Sequence, residues 1–426
     1  MNRRVVITGL GVCAPNGTNI PDFTHALKNG ISGIAFHQEL SNLKFGCQIA
    51  GKPSLEQEHI NKYFTPLQLR GLNASGIIYG VIAGVDAWKD AGLFLAPNER
   101  PDWDSGVIFG TGILGVDKFR ESIHLVDAGN TRRLGSTTVI QTMASGISAY
   151  LGGILGCGNQ VTTNSSACTT GTEGVLMAYE RIASGKASRM VAGSCSDSGP
   201  YVWGGFDAMR ILPRQYNDRP SEASRPMSAS AAGFVPGSGA GAIVLEYLES
   251  ALERGAKIYA EVLGGAVNSG GQRGDGSMTA PNSEAVKRCI IAAVDNSGIH
   301  TSDVDVINGH LTATAKDTLE IQNWSDALER SGTNFPYVNS FKGMVGHCLA
   351  AAGSIECVGA VLQLKEGQLF GNINCKDLHP EILKITDPSK IPMETMVYTP
   401  KIIAKASFGF GDVNACVIFS AYNELV

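Results

Sequence analysis

The sequence lacks the patterns that mark metal sites and membrane segments. Its 10 cysteines are scattered from Cys13 to Cys416, with no CxxC pair and no Cys/His cluster at metal-ligand spacing. We therefore expect neither a metal nor a cofactor, and a reduced cytoplasmic protein whose cysteines are mostly small buried residues. No apolar run reaches the roughly 18 residues needed to span a bilayer, so no membrane attachment is expected.

The chain also has little net charge and no low-complexity segment. The net charge is −5 and charged residues make up 17% of the chain, so nothing indicates nucleic acid or an anionic membrane as a partner. An acidic partner would need a local basic patch. No Pro- or Ser-rich linker divides the 426 residues, and 43% apolar residues are enough for a sizeable core.

What the chain does contain is an alternation of short β-branched runs with longer helical patterns. Strands are predicted at 4–8, 106–109, 189–192, 241–246, 304–308 and 415–420, and helices at 77–91, 171–184, 283–297, 318–331 and 350–365. This alternation indicates an α/β fold with buried sheets.

Two similar segments suggest a duplication. A strand enters a Gly-rich turn at residues 5–11, and a comparable strand and turn occur at 258–265. We therefore predict two halves, residues 1–255 and 256–426, each of ordinary domain size.

One cysteine has a setting that suits chemistry. Cys168 lies in Asn164-Ser165-Ser166-Ala167-Cys168-Thr169-Thr170, between a strand-like segment at 160–163 and a helical pattern that begins near Thr170. At a helix N-terminus the dipole and free N–H groups favour thiolate over thiol. The alternative is that Cys168 is one more small buried residue.

Three further Gly-punctuated segments carry polar or aromatic candidates. His310 follows a predicted buried strand, Lys342 and His347 precede an Ala-rich helix, and Phe408 and Phe410 lie in a Phe-Gly-Phe-Gly turn. Read singly, each segment also has a structural interpretation: a turn histidine, a solvated lysine or core phenylalanines. Together, one cysteine and two histidines on such turns indicate thiol chemistry with charge stabilisation.

These segments resemble the motifs of the elongating β-ketoacyl-acyl-carrier-protein synthases, in the thiolase-like superfamily. The likeness runs over essentially the whole chain, from 3–12 through Arg225-Pro226 and 233–235 to the final Phe-Gly-Phe-Gly. The two histidines separate this group from the initiating synthases, which pair cysteine with histidine and asparagine. The resemblance implies a five-layered αβαβα thiolase-like fold of two similar halves, usually a homodimer.

The resemblance also implies a reaction. Cys168 would take an acyl chain from the phosphopantetheine arm of an acyl carrier protein, and malonyl-carrier protein would then lose carbon dioxide and attack the thioester. His310 and His347 would donate hydrogen bonds to the malonyl thioester oxygen, and Lys342 would hold the polar network around them. Backbone N–H groups of Cys168 and Phe410 would form the oxyanion hole, with Phe410 as the gate.

Further positions match substrate-binding and docking residues of the family. The resemblance implies that a pantetheine tunnel is lined by Thr279, Thr312 and Thr314. It places Ile113 in an acyl pocket and Phe408 beside the substrate. It also implies a docking site for the carrier protein at Arg132, Arg133 and Arg210. A basic patch on an acidic protein suits an acidic partner. Each arginine taken singly could equally be an ordinary solvated side chain.

Several positions depart from the family pattern. Leu311 stands where the family commonly has glycine after its histidine, Ser238 replaces an acidic residue, and Asp412 replaces a glycine. A leucine tolerates glycine-like backbone angles poorly. These departures suggest a divergent member from a specialised polyketide or polyene pathway.

Two other functions stay open from the sequence. One is a non-catalytic partner subunit that sets chain length in a ketosynthase heterodimer. The other is a thiolase or acyltransferase acting on coenzyme A esters. The presence of Cys168, His310 and His347 argues against the first, and the histidine pair with the Lys342 loop argues against the second. Homodimer and heterodimer both remain possible.

Overall fold

The computed structural model describes residues 3–95 and 100–422. Its strands are β1 (Val5–Cys13), β2 (Ile34–Phe36), β3 (Ile49–Gly51), β4 (Ser105–Thr111), β5 (Val161–Thr162), β6 (Arg189–Ser196), β7 (Gly239–Tyr247), β8 (Ala260–Ser269), β9 (Val306–Asn308), β10 (Tyr337–Asn339), β11 (Gln368–Leu369), β12 (Met396–Val397), β13 (Ile402–Gly409) and β14 (Val413–Ala421).

Helices connect these strands. They are α1 (Ile20–Lys28), α2 (Gln38–Asn42), α3 (Gln57–Ile60), α4 (Pro66–Leu69), α5 (Ser75–Asp90), α6 (Val116–Asp127), α7 (Thr138–Thr142), α8 (Gly146–Leu155), α9 (Thr170–Ala183), α10 (Pro200–Ala208), α11 (Leu248–Glu253), α12 (Ser283–Asn296), α13 (Asp317–Leu328), α14 (Lys342–Val345), α15 (Ala352–Glu366) and α16 (Pro380–Leu383). Two short 3-10 turns, Ala167–Thr169 and Leu349–Ala351, precede α9 and α15.

Ten of the described strands form one mixed sheet in the order β10-β9-β13-β14-β8-β1-β7-β6-β4-β5. The sheet divides into two sets of five strands that have the same order from the centre outwards, β1-β7-β6-β4-β5 and β8-β14-β13-β9-β10. In chain order, β1, β4, β5, β6 and β7 thus correspond to β8, β9, β10, β13 and β14. The sets meet where Val5 of β1 pairs with Val262 of β8. The strand order thus repeats along the chain, while the boundary between 255 and 256 stays a prediction.

The described elements pack in five layers. Helices α5 and α8 cover one face of the N-terminal strands, and α12 and α13 cover one face of the C-terminal strands. Between the two sets lie α9 and α15, whose apolar side chains contact strands of both. Strands such as β1 and β7 are nearly continuous buried runs because helices cover both of their faces. The predicted αβαβα fold is confirmed.

The two central helices touch where each begins. A Cβ on Gly171 would lie 2.2 Å from the backbone nitrogen of Ser354, and one on Gly353 would lie 2.6 Å from that of Thr172. Only glycine permits so close an approach of two backbones. The first turns of α9 and α15 are therefore fixed against each other.

The predicted elements match the described ones to within a few residues. The helix predicted at 77–91 is α5, Ser75–Asp90, and the one at 171–184 is α9, Thr170–Ala183. Across the residues that the structure describes, we find no helix with the length and apolar character needed to cross a membrane.

Candidate active site

Cys168 is held on a tight turn between β5 and α9. Ala167, just before it, has a left-handed φ of 50°, which turns the chain sharply. The N–H of Ser166 donates to Thr170 Oγ1 at 2.9 Å, and the Ser166 hydroxyl donates to Glu173, so the turn is tied to the first turns of α9. The half-buried Cys168 side chain thus projects from a rigid support.

The turn after His310 is stabilised by two buried carboxylates. Leu311 has φ 26° and Ala313 has φ 62°, both in the region that favours glycine. Glu320 accepts the N–H groups of His310 and Leu311, each at 2.7 Å, and Asp317 accepts those of Thr312 at 2.9 Å and Ala313 at 3.1 Å. These bonds account for a leucine in a glycine-like conformation.

Burial dominates the ionisation of these two carboxylates. It raises the pKa of Asp317 to about 6 and that of Glu320 to about 7, although the donated N–H bonds act in the opposite direction. The turn is therefore supported by acids whose charged form is costly in this environment.

Lys342 and His347 are placed by the segment between β10 and α15. Lys342 is 1% exposed and pairs with Glu356 of α15. The N–H of His347 donates to Val235 at 2.7 Å, and its Nδ1 accepts the N–H of Leu349 at 3.2 Å. Because Nδ1 is an acceptor, the hydrogen-bond pattern assigns the ring proton of neutral His347 to Nε2.

The structure brings the cysteine and both histidines together. The Sγ of Cys168 and one ring nitrogen from each of His310 and His347 all lie within 4.8 Å of one another. The two imidazole centroids are 5.3 Å apart with an interplanar angle of 85°. Phe234 packs against His347 at 5.1 Å and Phe408 against His310 at 6.2 Å, so the rings are fixed by aromatic neighbours.

Burial decides the charge state of this cluster. It raises the pKa of the Cys168 thiol to about 11, against the lowering effects of Lys342 and of N–H groups of Phe410 and Cys168 itself. Loss of hydration therefore outweighs the groups that favour a thiolate, the helix start among them. Burial, assisted by Lys342 and Lys405, also holds the pKa of His310 and of His347 well below the usual value. The resting site is a thiol beside two neutral imidazoles.

A largely apolar cavity of about 540 Å³ surrounds the cluster. Its lining includes Cys168, His310 and His347. It also includes six more positions singled out from the sequence, namely Ile113, Thr279, Thr312, Thr314, Phe408 and Phe410. Lys342 is absent from that lining and lies behind it. The cavity is large enough for an acyl chain of moderate length together with the end of a linking arm.

The segment that carries Phe410 is tied to the loop that carries Thr279. Asp412, with φ 61°, accepts the N–H groups of Gln272 at 2.9 Å and Asn282 at 2.7 Å through its carboxylate. The N–H of Gly411 donates to Met278 at 2.8 Å. Aspartate tolerates the left-handed region better than most residues, so this departure from glycine keeps the turn and adds a tether.

The three arginines predicted to dock the carrier protein do not lie together at the cavity. Arg132 and Arg133 lie exposed in the 3-10 turn after α6 and are not part of the cavity lining. Arg210 is exposed as well, but its neighbours Met209 and Ile211 line the cavity. Only Arg210 is therefore placed beside the cavity.

Sequence reasoning missed two charged residues behind the site. Glu356 lies in the apolar helix α15, and Lys405 lies in the middle of β13; they are 1% and 0% exposed. A lone charge inside an otherwise apolar element was the available signal, since charged residues are almost never fully buried unless paired.

The spacing of the sulfur and the two ring nitrogens would also suit a thiophilic metal ion. The neighbouring buried lysines, Lys342 and Lys405, would repel a divalent cation there. We therefore interpret the cluster as a nucleophile with two neutral hydrogen-bonding groups.

Comparison with known families gives matches over both halves. Residues 2–251 match the model of the beta-ketoacyl synthase N-terminal domain, and residues 259–376 match that of the C-terminal domain. The chain is 33% identical over 442 residues to 3-oxoacyl-[acyl-carrier-protein] synthase I, chloroplastic, from Arabidopsis thaliana, covering 99% of this chain and 87% of that protein.

Two solved structures are similar over nearly the full length. The ishigamide ketosynthase/chain length factor has a TM-score of 0.87 at 26% identity, covering 99% of this chain and 100% of that one. A ketosynthase structure with a type II polyketide acyl-carrier protein, bound to the hexaketide, has a TM-score of 0.86 at 27% identity, with the same coverage of 99% and 100%.

Proposed function

The chain belongs to the β-ketoacyl synthase family and is a ketosynthase of fatty-acid or polyketide biosynthesis, and from that premise we propose that it performs decarboxylative condensation through Cys168. The observation that carries the proposal is the convergence of the Cys168 sulfur with ring nitrogens of His310 and His347, within 4.8 Å, at one cavity. Retention of all three also argues against a non-catalytic chain-length subunit.

The first half-reaction is acyl transfer to Cys168. Because burial raises the pKa of this thiol to about 11, it needs a base, and a neutral histidine can accept its proton. Among the described residues, Nδ1 of His310 is buried without a hydrogen-bond partner and is available as an acceptor. The Cys168 sulfur attacks the carrier thioester, the carrier thiol leaves with a proton, and N–H groups of Cys168 and Phe410 stabilise the oxyanion.

The second half-reaction uses the histidines as donors. Malonyl-carrier protein loses carbon dioxide, and the electrons of the broken C–C bond form an enolate whose oxygen accepts hydrogen bonds from His310 and His347. The enolate carbon attacks the Cys168 thioester and expels the sulfur, which takes up a proton. Neutral imidazoles serve this step because the Nε2–H of His347 is a donor as it stands.

The arm of the carrier protein would enter along Thr279, Thr312 and Thr314. These threonines line the cavity, and the hydroxyls of Thr312 and Thr314 lie 3.1 Å apart. Arg210, exposed beside lining residues Met209 and Ile211, is the best placed of the three arginines to contact an acidic carrier. For Arg132 and Arg133 docking rests on the family resemblance alone.

An exposed apolar surface supports a dimer. Ile113 lines the cavity yet is 53% exposed, and Phe119, Ile123 and Val139 of α6 and α7 are exposed as well. Several large apolar side chains exposed on two helices that contact each other suit an interaction site. We propose a homodimer, with pairing to a homologous chain as the alternative, since one similar structure is a ketosynthase/chain length factor.

The direct test is incubation of the purified protein with acyl-carrier protein and then malonyl-carrier protein. Mass spectrometry should find the acyl group on Cys168 and a 3-oxoacyl product extended by two carbons. Cys168→Ala should abolish both, whereas Cys157→Ala, at a second partly exposed cysteine, should leave both intact.

Primer choice tests the pathway. We propose a specialised polyketide or polyene pathway, so polyunsaturated or aryl primers should turn over faster than saturated ones; equal or better turnover of saturated primers would contradict this. Condensation by Cys168→Ala would show that the nucleophile is wrongly assigned. Activity with coenzyme A thioesters alone would favour a thiolase or acyltransferase.

A further inference from the structure

A lysine occupies the centre of the sheet behind the active site. Lys405 lies in the middle of β13, which pairs with β9 on one side and β14 on the other, and its side chain is fully buried. Its Nζ is 2.9 Å from Glu356 Oε2 and 3.2 Å from Ser407 Oγ, and it donates to the carbonyl oxygen of Ala406. A cation in a central strand is costly to desolvate, so its position needs a reason.

Lys405 and Lys342 share a single acid. Lys342 pairs with Oε1 of Glu356 and Lys405 with Oε2, and all three side chains are at most 1% exposed. Among the described residues, no other carboxylate lies within 4.0 Å of either ammonium group. The buried cluster therefore has two formal positive charges and one negative charge.

This cluster connects the segments that carry the chemistry. Ser407, next to Lys405 on the same face of β13, exchanges a hydrogen bond of 2.8 Å with Thr172 in the first turn of α9. Glu356 belongs to α15 and Lys342 to the segment that leads to His347. The helix after Cys168, the strand before Phe410 and the His347 segment thus meet at Lys405.

We infer that Lys405 is a second positioning lysine of this active site, which together with Lys342 fixes Glu356 and provides one excess buried positive charge behind His310 and His347. The inference rests on the proposed function, in which both histidines act uncharged and negative charge develops on the substrate. An excess positive charge disfavours imidazolium and favours the enolate formed on decarboxylation.

The other acids near the histidines offset this charge only as they ionise. Glu356 is shared by both lysines, whereas Glu320 and Asp317 accept backbone N–H groups of the His310 turn. Burial raises the pKa of Glu320 to about 7 and that of Asp317 to about 6, so the excess positive charge is greatest at acid pH, where the histidines titrate. Cys168 is a thiol, since burial raises its pKa to about 11. Both Lys342 and Lys405 lower the pKa of His310 and of His347, in keeping with a net positive surrounding.

The test is Lys405→Met, assayed for acylation of Cys168 by acyl-carrier protein from about pH 3.5 to 9, since the histidines titrate well below their usual range, and for decarboxylation of malonyl-carrier protein by the acylated enzyme. Loss of the charge raises the histidine pKa values, so the acid limb of the acylation profile should move up by about one pH unit. Decarboxylation should fall at least about tenfold at every pH. Lys401→Met, at the exposed start of the same chain segment, should change neither.

Lys405→Met is expected to fold, because Glu356 keeps its pair with Lys342 and no buried charge is left without a partner. Lys405→Gln, which keeps a hydrogen-bonding side chain, should give the same shift, while Lys405→Arg should retain the wild-type limb. An unmoved acid limb in a folded Met or Gln variant would overturn the inference, as would failure of both to fold. A wild-type protein that is not acylated at Cys168 would instead refute the proposed function.

Discussion

The 3-10 turns before α9 and α15 have the same shape and different chemistry. Each begins with a residue in the left-handed region, Ala167 at φ 50° and Leu349 at φ 54°. The next residue is Cys168 in one turn and Ala350 in the other, and both line the cavity. The repeated strand order places the two turns at corresponding points, after β5 and β10. The backbone geometry therefore does not by itself make a nucleophile.

The two helices that follow also differ in what they hold. Six residues after Cys168 the chain has Gly174, whereas six residues after Ala350 it has the buried Glu356. One helix thus supports the reactive sulfur and the other supports the charged network behind the histidines. Because Gly171 and Gly353 bring the two first turns into contact, both contributions meet at one place.

Of the changes to these two helices, removal of Glu356 should lower the stability of the protein most. Glu356→Gln leaves two buried lysines without a counter-charge, so the free energy of unfolding should fall by about 3–5 kcal/mol. Urea unfolding measures it. Glu381→Gln, which breaks an exposed pair with Lys384, should leave the urea unfolding midpoint nearly unchanged. Equal losses in the two variants would show that the buried network is not energetically special.

A methyl group between the two turns should have a smaller effect. In Gly171→Ala the new Cβ meets backbone rather than a flexible side chain, so we expect a loss of about 1–3 kcal/mol in stability and slower acylation of Cys168. Thermal unfolding and the acylation assay measure these. Gly153→Ala, in α8 with open space around its Cβ, should be neutral or slightly stabilising. A neutral Gly171→Ala would mean that the helices can separate without cost.

The pH dependence of Cys168 alkylation sharpens the comparison further. With a pKa of about 11, the thiolate fraction rises tenfold for each pH unit below that value. The rate of iodoacetamide alkylation at Cys168 should therefore rise about tenfold per unit from pH 7 to pH 10. Mass spectrometry of the modified peptide follows it, and Cys168→Ala identifies the background. A plateau near pH 8 would show that the helix start lowers the pKa after all.

Much of the fold and site could be predicted because the signals for them lie in short stretches of sequence. Periodicity located α5 and α9, and the Gly-rich turns located Cys168, His310 and His347. Two expectations, about the ionisation of Cys168 and about the backbone at Leu311, changed once their surroundings in the folded protein were known. The helix start does not by itself make Cys168 a thiolate, because the hydration of the sulfur depends on the surrounding cavity. Leu311 proved compatible with a glycine-like turn because Glu320 binds the adjoining N–H groups from another helix.

By itself the sequence determined the alternation of strands and helices, the four segments that carry polar groups, and the family. These are properties of neighbours along the chain, such as helix period and turn residues. The tertiary structure alone decided that Lys342, Lys405 and Glu356 share one buried network, that Asp412 ties the Phe410 segment to the loop carrying Thr279, and that Cys168 is a thiol at rest. Those outcomes depend on burial and on contacts between distant segments, which fix the solvation of each charge.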